Sequence, residues 1–381
     1  MISFPSKQAQ VQTTIFTKMS ALAAENNALN LSQGFPGFDC SEELQSLLAF
    51  YSKGHNQYAP MAGVPVFRQS IANKTHSFYG VSLDPDKEVT VVSGATEALF
   101  AAIHCCVSPG DEVIMFDPSY DAYDPIVRLA GGIPVHIPLK STNGFQIDWA
   151  EVGRKITSKT RAIMVNSPHN PTGAIWTMED LEAFASLVKG TNILIVSDEV
   201  YEHIVFDGAK HASVLLHPEL RQRSFVCGSF GKTYHITGWK IGYCLAPPFL
   251  TEEFRKLHQW VTFSSATPLQ YALADYLKTP AHYLGLSSFY QQKRDLFASF
   301  FQGSRWKILP SHGSFFQCLD YSEISDELDV DLAVRLTKEL KVASIPVSVF
   351  YEKPPKDRIL RFCFAKNDDV LKEAAQKLAR L

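Results

Sequence analysis

The chain is 381 residues long, 46% hydrophobic and 20% charged, with 36 basic against 39 acidic side chains and a formal charge of -3. That balance gives no electrostatic reason to expect nucleic acid or an anionic membrane as partner. The length exceeds that at which one core keeps growing, so two domains, or one large domain with a lobe, are expected.

The opening residues, Met1 to Lys7, lack the basic and apolar regions of a secretory signal. No apolar run approaches the ~20 residues of a membrane span; the longest, Ala98 to Val107, contains His104. The seven cysteines (Cys40, Cys105, Cys106, Cys227, Cys244, Cys318 and Cys363) are odd in number and form no C-x-x-C pair. A disulfide framework and a metal site are therefore not expected, and a reducing cytoplasm fits best.

In chain order, residues 1–30 read as an arm followed by a helix over Thr14–Asn26, leading into the turn Gln33-Gly34-Phe35-Pro36. From residue 89 the pattern alternates. Strands are expected at Val89–Val92, Glu112–Phe116, Gly132–Ile137, Arg161–Asn166, Asn192–Ser197 and Ser224–Cys227. Helices are expected at Ala95–Val107, at Tyr120–Ala130 and from Thr177, where Thr-Met-Glu-Asp resembles a capping box. Short, continuously apolar strands separated by helices imply a mostly parallel sheet covered on both faces. After residue 250 helical periodicity dominates Glu252–Trp260, Pro268–Lys278 and His282–Gln302. Strands at Gly313–Cys318 and Ile359–Phe364 and helices at Asp329–Leu340 and Asp368–Leu378 follow. The expected architecture is a three-layer α/β domain over 46–280, with 1–45 and 281–381 forming an arm and a smaller α+β domain.

In open parallel sheets ligands bind beyond the carboxyl ends of the strands. Five segments stand there: Ser93-Gly94-Ala95-Thr96-Glu97, Asp117-Pro118-Ser119-Tyr120, Ser167-Pro168-His169-Asn170-Pro171-Thr172-Gly173, Asp198-Glu199-Val200-Tyr201, and Ser229-Phe230-Gly231-Lys232-Thr233. They carry a helix start suited to phosphate, an aromatic, an amide, a carboxylate with a phenol, and a lysine. The last segment looks like a nucleotide loop, but G-x-x-x-x-G-K-[ST] needs glycine at 226, where Val226 stands.

Asn170-Pro171-Thr172-Gly173, Asp198-x-x-Tyr201, Ser229-x-x-Lys232 and Arg361 in this order resemble the pyridoxal-phosphate-dependent aminotransferases of classes I and II, fold type I. Gln-Gly-Phe-Pro, Gly-Lys-Thr, Gly-Trp-Lys and Arg-Phe-Cys-Phe are similar to the kynurenine/glutamine/methionine subgroup. The resemblance implies that Lys232 holds pyridoxal phosphate as a Schiff base and moves the proton between substrate Cα and cofactor C4′. It places Asp198 on the pyridine nitrogen, Tyr201 and Asn170 on the 3′-oxygen, and Tyr120 against the ring. Ala95, Thr96, Ser229 and Lys240 hold the phosphate, joined by Tyr58 from a second copy in a homodimer. Arg361 clamps the substrate's α-carboxylate, Gly34 lets backbone approach it, and Phe16 and Phe263 line an apolar side-chain pocket. Many members carry Arg where Lys240 stands and Ser where Gly231 stands. The implied reaction moves an amino group from methionine, an aromatic amino acid, or glutamine or histidine to a 2-oxo acid in a ping-pong cycle. A cysteine-conjugate β-lyase sharing the cofactor stays open.

Overall fold

Seven runs of β-branched and apolar residues between Val89 and Leu245 pair into one sheet. The structure is a computed structural model that describes Ser6 and residues 13–381; apart from Ser6, the arm expected before residue 13 lies outside the described residues. The strands, in chain order, begin with β1 (Leu29–Asn30), followed by β2 (Val89–Val92), β3 (Glu112–Asp117), β4 (Ile133–Pro138), β5 (Thr160–Asn166), β6 (Leu194–Asp198), β7 (Ser224–Ser229) and β8 (Gly242–Leu245). Sheet order is β2-β8-β7-β6-β5-β3-β4, with β8 antiparallel to both neighbours and the other pairs parallel.

Helices cover both faces, as near-continuous apolar strands require. Alternation in β3 sends Val113 and Met115 into one core and Ile114 and Phe116 into the other. The former packs with α4 (Ala95–Cys106) and α5 (Tyr123–Leu129), the latter with α3 (Pro65–Tyr79), which follows α1 (Ile15–Glu25) and α2 (Glu42–Tyr51). A four-stranded antiparallel sheet, β12-β13-β10-β9, forms from β9 (Lys307–Ile308), β10 (Phe316–Asp320), β12 (Ile345–Pro346) and β13 (Ile359–Cys363), and β11 (Val342–Ala343) pairs with β1. This is the α/β architecture of fold type I. Among the described residues no helix is long and apolar enough to cross a membrane.

Three expected elements differ. The strand expected from Gly313 begins at Phe316, because Ser314 takes a left-handed φ of 63° that cannot join a ladder. The helix expected over His282–Gln302 is divided at Gly285, the poorest helix former after proline. The helix expected from Tyr120 starts at Tyr123, whose N–H donates to Tyr120 O (3.0 Å), so Tyr120 stays in the preceding turn.

That turn is anchored from β4. His136 Nδ1 lies 2.8 Å from Asp117 Oδ1 and Nε2 lies 3.1 Å from Asp124 Oδ2. Burial pulls the imidazole pKa down, but the hydrogen bonds to the two carboxylates outweigh it and lift the value to about 9, from an ordinary 6.5. A value raised on folding contributes stability that is complete below about pH 6.5 and is lost as pH rises through about 9. Melting of wild type and His136→Asn is therefore expected to show a Tm gap that narrows above pH 8; a gap constant to pH 10 would contradict this.

Candidate active site

Parallel register sets Asn166, Asp198 and Cys227 side by side at the carboxyl ends of β5, β6 and β7. Asp198 is buried, and its Oδ2 accepts from the Tyr123 hydroxyl (2.7 Å) while Oδ1 accepts from Val200 N (3.3 Å). Burial pushes its carboxyl up to about 6, against the pull of those two donors and of Lys232. A cationic N–H in the adjoining cavity would bring the value back down. Tyr201 lies three residues on, with a buried ring.

Lys232 occupies not a loop but a four-residue helix, Phe230–Thr233, capped by Ser229 Oγ accepting from Gly231 N (3.1 Å). Its Nζ donates to Gly34 O (2.8 Å) and faces the rings of Phe315 and Tyr201 at 5.6 and 6.0 Å. Burial, reinforced by the charges of Arg361 and Lys240, lowers the amine's pKa to about 8. A fraction of neutral amine therefore exists near neutrality, as a nucleophile and proton carrier requires.

Opposite stands an anion cradle. The first N–H groups of α4 have no side-chain cap, and Gly94 before them adopts φ 83°. A Cβ at Gly94 would lie 3.3 Å from Lys240 Nζ, so the lysine closes directly over the helix start. Thr96, Tyr120, Ser229 and Thr237 complete the wall. A Cβ at Gly231 would be crowded, because it would meet Thr237 Cα at 3.1 Å.

The third element is Arg361, in β13 and wholly buried. Nη1 donates to Asn170 Oδ1 (2.9 Å) and Nη2 to Ser32 O (2.7 Å), the guanidinium lies 4.0 Å from the Phe316 ring, and Nε has no partner. Burial lowers its pKa, with Asp121 among the groups that oppose the shift through charge. A buried guanidinium whose Nε has no partner, lining a cavity, calls for an incoming anion. Because guanidinium only donates, Asn170 must present Oδ1 to it, which leaves the Asn170 amide protons for a second oxygen.

Twelve of the residues singled out in the sequence surround one cavity of about 260 Å³: Lys232, Asp198, Tyr201 and Asn170; Ala95, Thr96, Ser229, Lys240 and Tyr120; and Gly34, Arg361 and Phe16. Tyr58 and Phe263 lie outside this chain's cavity, edge to face at 5.2 Å, with 84% and 50% of their surfaces exposed. Sequence reasoning missed Tyr123, Asn166, Thr237, Phe316 and Gln33. Asn166 was visible as a strand's last residue; Tyr123, three residues beyond Tyr120, offered only a helical spacing.

The residues fit pyridoxal phosphate, with an anion cradle, a buried carboxylate that could also meet a ring nitrogen, and an amine of lowered pKa around one cavity. The sequence pattern described as aminotransferase class I and II matches residues 26–378. The methionine aminotransferase of Escherichia coli (strain K12) is 50% identical over 99% of this chain and 98% of its own. A rat kynurenine–oxoglutarate transaminase 3 is 35% identical over 96% of this chain and 87% of its own. A solved structure of the E. coli protein YbdL, identified with a methionine aminotransferase function, covers 100% of both chains at 49% identity with a TM-score of 0.98. The chain belongs to the class I and II aminotransferases, enzymes that depend on pyridoxal phosphate.

Proposed function

We propose that the enzyme deaminates methionine and aromatic amino acids, passing the amino group to a 2-oxo acid in two half-reactions, with Lys232 as the residue that holds the cofactor covalently. One observation carries the substrate class: Arg361, Lys232 and Lys240 are the only cations lining the cavity among the described residues. All three have assigned work, so a substrate's second carboxylate would find no partner. Phe16, Tyr120 and Phe316 make the remaining wall aromatic. The likeness to the E. coli methionine aminotransferase supports the same choice.

When bound, pyridoxal phosphate supplies an electron sink next to the substrate's Cα. Arg361 orients the substrate by its α-carboxylate, Lys232 Nζ takes the proton from Cα and returns one, and Asp198, steadied by Tyr123, keeps a proton at the ring nitrogen. Tyr201 and Asn170 donate to the phenolic oxygen. Tyr58 and Phe263, exposed together, reach a partner's cavity in a homodimer, and the seven free cysteines suit a reducing cytoplasm.

A single-turnover panel of amino acids tests this, with methionine and phenylalanine expected to react well ahead of aspartate; the reverse order would overturn the substrate class. Replacing Arg361 with alanine is expected to lower kcat/KM for every amino acid alike by ~2–5 kcal/mol, the usual loss when one partner of a buried charge pair is removed. An unchanged KM would remove Arg361 from the site.

A further inference from the structure

Between the two carbonyls that hold the site's cations lies a side chain without an assigned task. Ser32 O accepts from Arg361 Nη2 and Gly34 O accepts from Lys232 Nζ, so residues 32–34 run along the cavity wall with Gln33 between them. The orientation of the Gln33 amide follows from its partners. Nε2 lies 3.3 Å from the carbonyl of Phe16, which can only accept, and 2.5 Å from Ser20 Oγ. Both amide protons are thereby committed to α1, and Oε1 meets no donor among the described residues.

The other amide oxygens on the wall are occupied. Asn166 Oδ1 accepts from Asn170 N (2.8 Å) and Asn170 Oδ1 from Arg361. Oε1 of Gln33 is thus the one amide oxygen on the wall still open to a donor. On the proposed function, a substrate with its carboxylate on Arg361 and its reacting centre at Lys232 lies along the stretch of wall that carries Gln33.

We infer that Gln33 is a specificity-determining residue: Oε1 accepts a hydrogen bond from a neutral side chain carrying an N–H donor, a carboxamide above all, and turns away an ω-carboxylate. A carboxylate would set lone pairs against lone pairs, whereas a thioether neither gains nor loses. The inference rests on the aminotransferase reading of the site and adds to it the side-chain chemistry that is read.

The test uses the pyridoxal-phosphate-loaded enzyme with glutamine, glutamate and methionine, in wild type, Gln33→Leu, Gln33→Lys and Ser20→Ala. Gln33→Leu is expected to cut the glutamine-to-methionine ratio of kcat/KM by about tenfold, the worth of one hydrogen bond. Gln33→Lys should raise the glutamate-to-glutamine ratio by at least about as much. Ser20→Ala, which loosens the anchor but keeps the acceptor, should move glutamine and methionine together. Calorimetric binding of the unreactive carboxylates glutaramate and hexanoate should follow the same ratio as glutamine and methionine. An unchanged ratio in Gln33→Leu overturns the inference, as does a shift of equal size in Ser20→Ala, which would mean that Gln33 acts only by placing α1. Absence of wild-type turnover with any amino acid is a different result and overturns the functional reading itself.

Discussion

Alanine at position 232 is expected to slow the half-reaction with methionine by at least ~10⁴-fold. Two separate contributions vanish together: covalent attachment of the cofactor, and proton transfer at Cα, which alone accounts for ~10²–10⁴ in enzymes of many kinds. The neighbours do not replace it. Asp198 is turned to Tyr123 and Val200, the Tyr201 hydroxyl is pushed well above its ordinary pKa by burial, and Lys240 stands at the anion cradle. The fold should tolerate the change, since Nζ makes a single hydrogen bond, to Gly34 O. Stopped-flow formation of the 2-oxo acid under single-turnover conditions measures the loss, and melting curves check the fold. A decrease below about 100-fold with the fold intact would mean that another group carries the proton.

Lys232, Asp198, Asn170 and Arg361 were legible in the sequence because each sits next to or within a strand whose apolar run announces itself. Strand order then does the rest, since parallel register necessarily brings the last residues of β5, β6 and β7 to one edge. Tyr123 was not legible. Its importance is a hydrogen bond to a carboxylate 75 positions away, and nothing in Tyr-Asp-Ala-Tyr encodes which strand the ring will face. Gln33 is similar, quoted within a motif yet defined by contacts with a helix that precedes it. The departures at Gly231 and Lys240 became intelligible only in three dimensions, where Thr237 crowds the first and the second closes over Gly94. Tyr58 and Phe263 mark the other limit, because their surroundings within one chain are largely solvent.

A second large effect is expected behind the site. Lys74, in α3, and Glu202, which follows Tyr201, form an ion pair with both side chains less than a tenth exposed. Lys74 Nζ also donates to the Tyr243 hydroxyl (2.7 Å), which in turn hydrogen-bonds Glu202, and the Tyr79 hydroxyl donates to the other Glu202 oxygen (2.8 Å). Burial alone would raise the Glu202 carboxyl, but Lys74 and the hydroxyl donors hold it below the ordinary carboxylate range. Two desolvated charges that satisfy each other add little over apolar neighbours of the same size, whereas one left alone is costly. Lys74→Met and Glu202→Leu are therefore each expected to destabilise by ~3–5 kcal/mol, while the double variant should lose far less than their sum. Removing the exposed pair Lys256–Glu253 should change stability by less than about 1 kcal/mol. Denaturant titrations of the four proteins of the cycle decide the matter; additive costs would show that the pair is not coupled. The consequence reaches the chemistry because the segment from Asp198 to Glu202 is one turn of chain. An unpaired Glu202 pulls on the residue beside it, so Lys74→Met should weaken cofactor retention, and restoring neutrality in the double variant should recover it.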